Sequence, residues 1–236
     1  MYELMVDLLL NNFLLQKYNH MNKNDELIMC LSKEQLFLNG SPSAIEIERA
    51  TTCPGIAVMR KRGEVETDTS LLQPIPYAVI IAPFGEEKEA RVLVYKRSAA
   101  GGETRLQDKY SVGVGGHINA FDIAHYFVDT EEKSPCAACL LREVTEELGV
   151  KELKCEAILM DPKPIYDDSE AVSSVHIGLN YTLILSEVPT IEAEDALASV
   201  EWIPVASLVP GNEIYDKLEG WSKIVITSIV DSLSAK

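Results

Sequence analysis

The residues best suited to chemistry lie in one nine-residue stretch, Arg142–Val150, with the sequence REVTEELGV. Its three glutamates, Glu143, Glu146 and Glu147, stand three and four positions apart, which on a helix places their carboxylates on one face. Crowded like charges destabilise a helix by a few tenths of a kcal/mol per pair. A hard divalent cation with oxygen ligands would offset that repulsion. The spacing therefore predicts a carboxylate metal site, and the alternative is a solvated acidic face.

A glycine-rich loop precedes this stretch. Gly113–His117, with the sequence GVGGH, follows a predicted strand. Glycine has no Cβ, so its backbone can approach a phosphate or a metal closely. The loop therefore favours a site for such a group, although a tight exit from the strand is the other interpretation.

These two segments together resemble the Nudix hydrolase family. Arg142–Val150 matches, without a gap, the second half of the sequence motif typical of this family, the Nudix box. Gly116 fits the leading glycine of the box. Six positions after Gly116 stands Asp122, a shortened version of the first glutamate of the box. The distance from there to Arg142 exceeds the family spacing by an insertion of 12 residues, Ile123–Ser134. We expect this insertion to pack locally and to form one wall of the substrate pocket.

The resemblance implies a fold and a reaction. The fold is an α/β/α sandwich with a mixed sheet, and the reaction splits a diphosphate linked to another moiety with Mg²⁺ or Mn²⁺. Such a metal neutralises charge on the leaving oxygen and lowers the pKa of a bound water. Arg142 would orient a glutamate through charged hydrogen bonds. The implied metal ligands are the carboxylates of Glu143, Glu146 and Glu147 and the carbonyl of Gly115.

The group that accepts the proton is not selected by any motif. Glu146 is one candidate, and acidic residues of later loops are others. The expected substrate contacts are Gly116, His117 and Arg97, with Arg105 a weaker candidate for phosphate; His117 is equally well explained as a local hydrogen-bonding residue. The loop candidates for the base are Asp167, Asp168, Glu170, Glu192 and Glu194.

A helix is predicted over 135–148 to carry the glutamates. Ser134 is a good N-cap, Pro135 suits the first helical position, and Gly149 can take the left-handed conformation that ends a helix. The apolar stripe of this helix is expected at Ala137, Leu141, Val144 and Leu148.

The remaining elements divide the chain into an N-terminal extension, 1–72, and a Nudix-like domain, 73–236. The first twenty residues are predicted to form an amphipathic helix. The predicted elements of the domain are a hairpin of Tyr77–Ile81 with Arg91–Tyr95, strands at 155–160, 174–185 and 200–203, and a helix over 212–233.

Composition narrows the classes of partner and compartment. The 236 residues carry a formal net charge of -16, which opposes general nucleic-acid binding. No apolar run is long enough to span a bilayer, so we expect no membrane association. The odd number of five cysteines favours free thiols and a cytoplasmic location. Cys136 and Cys139 have no second ligand pair for zinc and are interpreted as small helix residues.

Two functions are therefore considered. The first is a metal-dependent pyrophosphohydrolase acting on a small-molecule diphosphate, such as a nucleoside diphosphate derivative. The second is a non-catalytic Nudix-like ligand-binding or regulatory module, to which the altered first half of the box gives weight. The complete set of Arg142 with three glutamates favours the enzyme. A DNA-binding regulator and a diphosphate isomerase have less support, and a homodimer is compatible with the sequence.

Overall fold

The computed structural model describes residues 22–97, 109–128, 134–150, 153–166, 173–192 and 197–234. The predicted amphipathic helix of the first twenty residues lies outside these ranges. The described helices are α1 Lys33–Leu36, α2 Ala44–Ala50, α3 Arg62–Val65, α4 Ala120–Val128, α5 Pro135–Leu148, α6 Glu213–Asp216 and α7 Gly220–Ser234. The strands are β1 Leu27–Ser32, β2 Ala57–Lys61, β3 Leu71–Phe84, β4 Glu89–Arg97, β5 Tyr110–Ser111, β6 Gly113–Gly115, β7 Cys155–Met160, β8 His176–Leu185 and β9 Leu197–Pro204.

The long strand β3 organises a mixed sheet. It pairs in parallel with β8 along one edge. Along the other edge it pairs antiparallel with β4 and β6, and β7 and β9 extend the sheet outward. The predicted hairpin is confirmed as β3 and β4, joined by a turn at Gly85–Lys88.

Helices cover both faces of this sheet. Ala78 and Ile80 of β3 are buried in the core cluster that contains α5. Tyr77 and Val79 alternate with them and are buried in a second cluster with Val225 and other residues of α7. Because successive strand residues point to opposite faces, α5 and α7 lie on opposite sides. The expected α/β sandwich with a mixed sheet is confirmed.

The described part of the N-terminal extension joins the same sheet. β1 pairs with β2 and, at Leu31 opposite Leu72, with the start of β3. The backbone N–H of Met29 also donates to the carbonyl of Ile118, 2.8 Å away. The extension therefore packs directly beside the segment that leads from the glycine loop into α4.

The predicted C-terminal helix is interrupted. It begins at α6 but stops at Asp216 and restarts at Gly220. In the gap, the N–H of Tyr110 donates to the carbonyl of Lys217, and the N–H of Glu219 donates to the carbonyl of Tyr110. The short strand β5 thus captures backbone groups that a continuous helix would have used, which a periodicity in the sequence does not reveal.

The first part of the insertion is helical, since α4 extends to Val128, and Ile123 packs against the core.

No helix within the described ranges is long and apolar enough to cross a membrane.

Candidate active site

Local signals mark both ends of α5. The Ser134 side chain accepts a hydrogen bond from the N–H of Ala137, 3.2 Å away, and Pro135 is the first helical residue. Gly149 ends the helix at φ 60°. These three observations confirm the predicted boundaries.

The buried side of α5 differs from the predicted stripe. Leu141 is 42% exposed, whereas Leu140, Val144 and Leu148 are buried in the core together with Cys136 and Cys139. Glu143 stands one turn after Cys139 and therefore lies at the edge of this buried side. The Glu143 side chain is only 15% exposed, so the alternative interpretation, a solvated acidic face, does not describe Glu143.

Arg142 is the centre of the acidic cluster. Its Nε and Nη2 donate to the two carboxylate oxygens of Asp122 at 2.8 and 2.9 Å, a bidentate pair. Its Nη1 donates to Glu143 Oε1 at 2.7 Å and to Glu146 Oε2 at 3.2 Å. Its Nη2 also donates to the carbonyl of His117. One guanidinium thus joins the glycine loop, α4 and two glutamates of α5.

Asp122 is held for this role by the start of α4. The Asn119 side chain accepts hydrogen bonds from the N–H groups of Phe121 and Asp122, and Asp122 Oδ2 accepts from the N–H of Asn119. This is a reciprocal cap in which aspartate takes the place usual for glutamate or glutamine. Asp122 is 2% exposed. Sequence reasoning placed it in the box but assigned it no role; the Asn-x-x-Asp spacing was the available signal.

Gly116 leaves room for the Glu143 carboxylate. A Cβ on Gly116 would lie 2.2 Å from Glu143 Oε1. Burial raises the pKa of Glu143 above its usual value, while the charge and hydrogen bond of Arg142 oppose that shift. The two earlier glycines serve the packing of the strand instead. A Cβ on Gly113 would meet the Tyr77 ring, and one on Gly115 would lie 2.1 Å from the carbonyl oxygen of Pro76.

The donor set fits a hard divalent cation in its chemistry. Carboxylate and carbonyl oxygens are the ligands that Mg²⁺ and Mn²⁺ prefer. Glu146 is 46% exposed and Glu147 is half-buried on the same helix. Within the described residues, however, no three His, Cys, Asp or Glu side chains are gathered closely enough to hold a metal. The ligand set of Glu143, Glu146, Glu147 and the Gly115 carbonyl stays a prediction.

The comparisons with known proteins agree with this architecture. No family model matches the chain. Protein YmaB of Bacillus subtilis is 33% identical over 215 residues, which is 87% of this chain and 98% of YmaB. The crystal structure of Tm1382, a candidate Nudix hydrolase, superposes with a TM-score of 0.61 at 23% identity, over 87% of this chain and 99% of Tm1382.

The chain belongs to the same family as YmaB, and its fold is the Nudix fold. A Nudix hydrolase from Alicyclobacillus acidocaldarius is a more distant neighbour, with a TM-score of 0.49 and 13% identity over 68% of this chain and 91% of that protein. The resemblance stated from Arg142–Val150 is confirmed, and α5 is the Nudix helix of this chain.

His117 lies beside the Nudix helix but is hydrogen-bonded within the protein. Its Nε2 is 2.7 Å from Gln73 Oε1, while Gln73 Nε2 donates to the carbonyl of Val65 at 3.2 Å. Gln73 therefore offers an acceptor, and His117 Nε2 carries the proton. Burial, with smaller contributions from Arg62 and His176, holds the pKa of His117 well below its usual value. A substrate contact by His117 stays a prediction.

Other predicted site residues lie mostly outside the described parts. The backbone of Arg97 ends β4, but its side chain is not described, and Arg105, Asp167, Asp168, Glu170 and Glu194 fall in undescribed ranges. Glu192 is exposed, and its backbone packs against the end of the Nudix helix, where its N–H donates to the carbonyl of Leu148.

The interpretation of the two cysteines of the Nudix helix as small helix residues is confirmed. Cys136 and Cys139 are buried and unbridged. Burial raises the pKa of both thiols, so neither is poised as a thiolate. Cys139 packs against the glycine loop, with its Sγ 3.6 Å from the carbonyl of Gly116.

Proposed function

We propose that this protein is a metal-dependent pyrophosphohydrolase that cleaves a small-molecule diphosphate, such as a nucleoside diphosphate derivative, by attack of water on phosphorus. The observation that carries the proposal is the set of ion pairs that Arg142 forms with carboxylates from two helices. Its guanidinium is fixed by the buried Asp122 and in turn contacts Glu143 and Glu146 of a Nudix helix. A solvated acidic face would not need a buried partner for its arginine.

The residues of the site bind the cation or position its ligands in this proposal, and Glu146 has a second part as the base. Glu143, Glu146 and Glu147, with the carbonyl of Gly115, would hold Mg²⁺ or Mn²⁺. The bound cation would neutralise phosphate charge and lower the pKa of a coordinated water. Gly116 leaves space for the Glu143 carboxylate, and Arg142 acts as a positioning residue for Glu143.

Glu146 is the proposed general base. It is the more exposed of the two glutamates that contact Arg142, at 46% against 15% for Glu143, so it can reach a water molecule. It would take the proton as the water oxygen bonds to phosphorus and the bridging oxygen leaves with the second phosphate.

The experiment is a hydrolysis screen of the full chain. Dinucleotides, nucleotide sugars and nucleoside triphosphates are supplied with Mg²⁺, and released phosphate is measured after phosphatase treatment. We expect turnover by the wild type that is abolished by a chelator. Glu146→Gln and Glu147→Gln should lose Mg²⁺ binding in calorimetry, together with turnover. Glu156→Gln, which changes an exposed glutamate on β7, is the matched control and should behave as the wild type.

A non-catalytic binding module is the second candidate. The observation that favours it is that Arg142 already occupies carboxylate oxygens of both Glu143 and Glu146. Saturable binding of a diphosphate without turnover, in protein that binds Mg²⁺, would support the module and contradict the hydrolase. Equal Mg²⁺ binding by wild type, Glu146→Gln and Glu147→Gln would contradict the proposed ligand set.

A further inference from the structure

A cavity lies on the sheet face opposite the Nudix helix. It has a volume of about 310 Å³ and opens between α7, β8 and the segment that follows β7. Leu179 and Tyr181 of β8 are buried in the core with α5, so Asn180 between them points to the other face. The volume is at the lower end of the range for small-molecule sites. The lining residues that matter here are Asp161, Lys163, Ile165, Asn180, Val225 and Asp231.

Asn180 is an unusual residue for the middle of a buried strand. It is 3% exposed, and its Oδ1 has no hydrogen-bond partner within the described residues. Buried polar side chains are nearly always hydrogen-bonded, because a lost hydrogen bond to water is otherwise not replaced. An unpartnered amide oxygen that lines a cavity therefore indicates a donor that is supplied from outside the chain.

The wall around Asn180 is fixed by hydrogen bonds. The N–H of Asp161 donates to the carbonyl of Asn180 at 2.9 Å. The Asp161 carboxylate accepts from the N–H of Lys163 at 2.9 Å and from the Ser228 hydroxyl on α7 at 3.1 Å. Reciprocal backbone hydrogen bonds of 2.9 and 2.8 Å join Ile165 to Gly178. The cavity is therefore built into the fold.

The charged side chains that line the cavity favour a positively charged ligand. Two carboxylates, Asp161 and Asp231, outnumber the single ammonium group of Lys163. Asp231 also stands in the last turns of α7, where the helix dipole adds negative potential. The side chains of Ile165 and Val225 supply an aliphatic wall. This combination suits a positively charged group on a short hydrocarbon chain.

We propose that this cavity is a binding site for a small aliphatic amine, separate from the Nudix helix, with Asn180 and the two aspartates as its polar contacts. An ammonium group would donate to Asn180 Oδ1 and to carboxylate oxygens, while its methylene groups would pack on Ile165 and Val225. The proposal does not depend on hydrolysis, since no residue of the cavity belongs to the proposed catalytic set.

The test is a calorimetric titration of the full chain with 1,5-diaminopentane, and with 1,5-pentanediol as the uncharged analogue of equal length. We expect saturable one-to-one binding of the diamine, and binding of the diol that is weaker by at least about tenfold. Asn180→Leu should weaken diamine binding by about tenfold or more. Asp231→Asn should weaken it by about two- to fivefold, as expected for an exposed charge.

Glu86→Gln is the matched control, because it removes an exposed carboxylate from the β3–β4 turn, away from the cavity. It should leave the affinity unchanged, which separates a site from the general attraction of a cation to an acidic chain. Circular dichroism checks the folding of Asn180→Leu, and Asp231→Asn keeps the test decisive if that variant misfolds. Unsaturable heats, or equal weakening by Glu86→Gln and Asp231→Asn, would overturn the proposal.

Discussion

Arg142 offers the sharpest test, because two carboxylates of low exposure, those of Asp122 and Glu143, depend on this one cation. Asp122 is 2% exposed and Glu143 is 15% exposed, and Arg142 is the only basic residue found in an ion pair with either of them within the described residues. Replacement by methionine leaves both carboxylates without a cation. Breaking a buried pair by removing one partner costs about 3–5 kcal/mol. We expect Arg142→Met to lose about 4 kcal/mol of stability.

Substitution of the partner carboxylate, Asp122, should cost less stability. In Asp122→Asn, Arg142 retains Glu143, Glu146 and the carbonyl of His117. The loss is then that of charge-assisted hydrogen bonds, about 1.5–3 kcal/mol. For a chain of this length, about 2–4 °C of melting temperature corresponds to 1 kcal/mol. The expected decreases are therefore roughly 12 °C for Arg142→Met and roughly 6 °C for Asp122→Asn.

The assay is urea unfolding and thermal unfolding followed by circular dichroism, in chelator so that no metal contributes. Arg91→Met is the control, since Arg91 pairs with Glu89 on the surface at 35% and 49% exposure, and such pairs contribute about 0–1 kcal/mol. The double variant Asp122→Asn/Arg142→Met should cost less than the sum of the single changes. If Arg142→Met is as stable as Arg91→Met, or if the two site changes add fully, the proposed cluster is refuted.

Three further outcomes are expected. Gly116→Ala should fold but lose about a hundredfold in turnover, because its Cβ would displace the Glu143 carboxylate. Gly220→Ala is the control and should not change turnover, because a Cβ there would have nothing within 4 Å. Equal turnover of the two variants would contradict the prediction. Maleimide labelling read by mass spectrometry should modify the exposed Cys155 in native protein and the three buried cysteines only after unfolding, since burial removes access and raises their thiol pKa. Phe127→Ser, at a residue 77% exposed on α4, should raise KM without loss of stability if the insertion forms a wall of the substrate pocket, and unchanged kinetics would make α4 a surface element only.

The sequence alone determined the features that depend on neighbouring residues. Ser134, Pro135 and Gly149 define both ends of the Nudix helix because caps act within one turn. The apolar runs of β3 and β4 define a hairpin because the turn between them is short. The REVTEELGV stretch identified the family because its chemistry is concentrated on one helix, and the relationship to YmaB and the Nudix fold agree with it.

The tertiary structure decided the features that depend on residues distant in sequence. Whether Glu143 faces solvent or Gly116 depends on Arg142, whose position is fixed by Asp122, twenty residues earlier. The break between α6 and α7 exists because β5 binds the backbone of 217–219. The amide oxygen of Asn180, which has no partner within the described residues, lines a cavity only because α7 covers β8. A helical period or a motif carries no information on such contacts, because each arises from the packing of separate elements against one another.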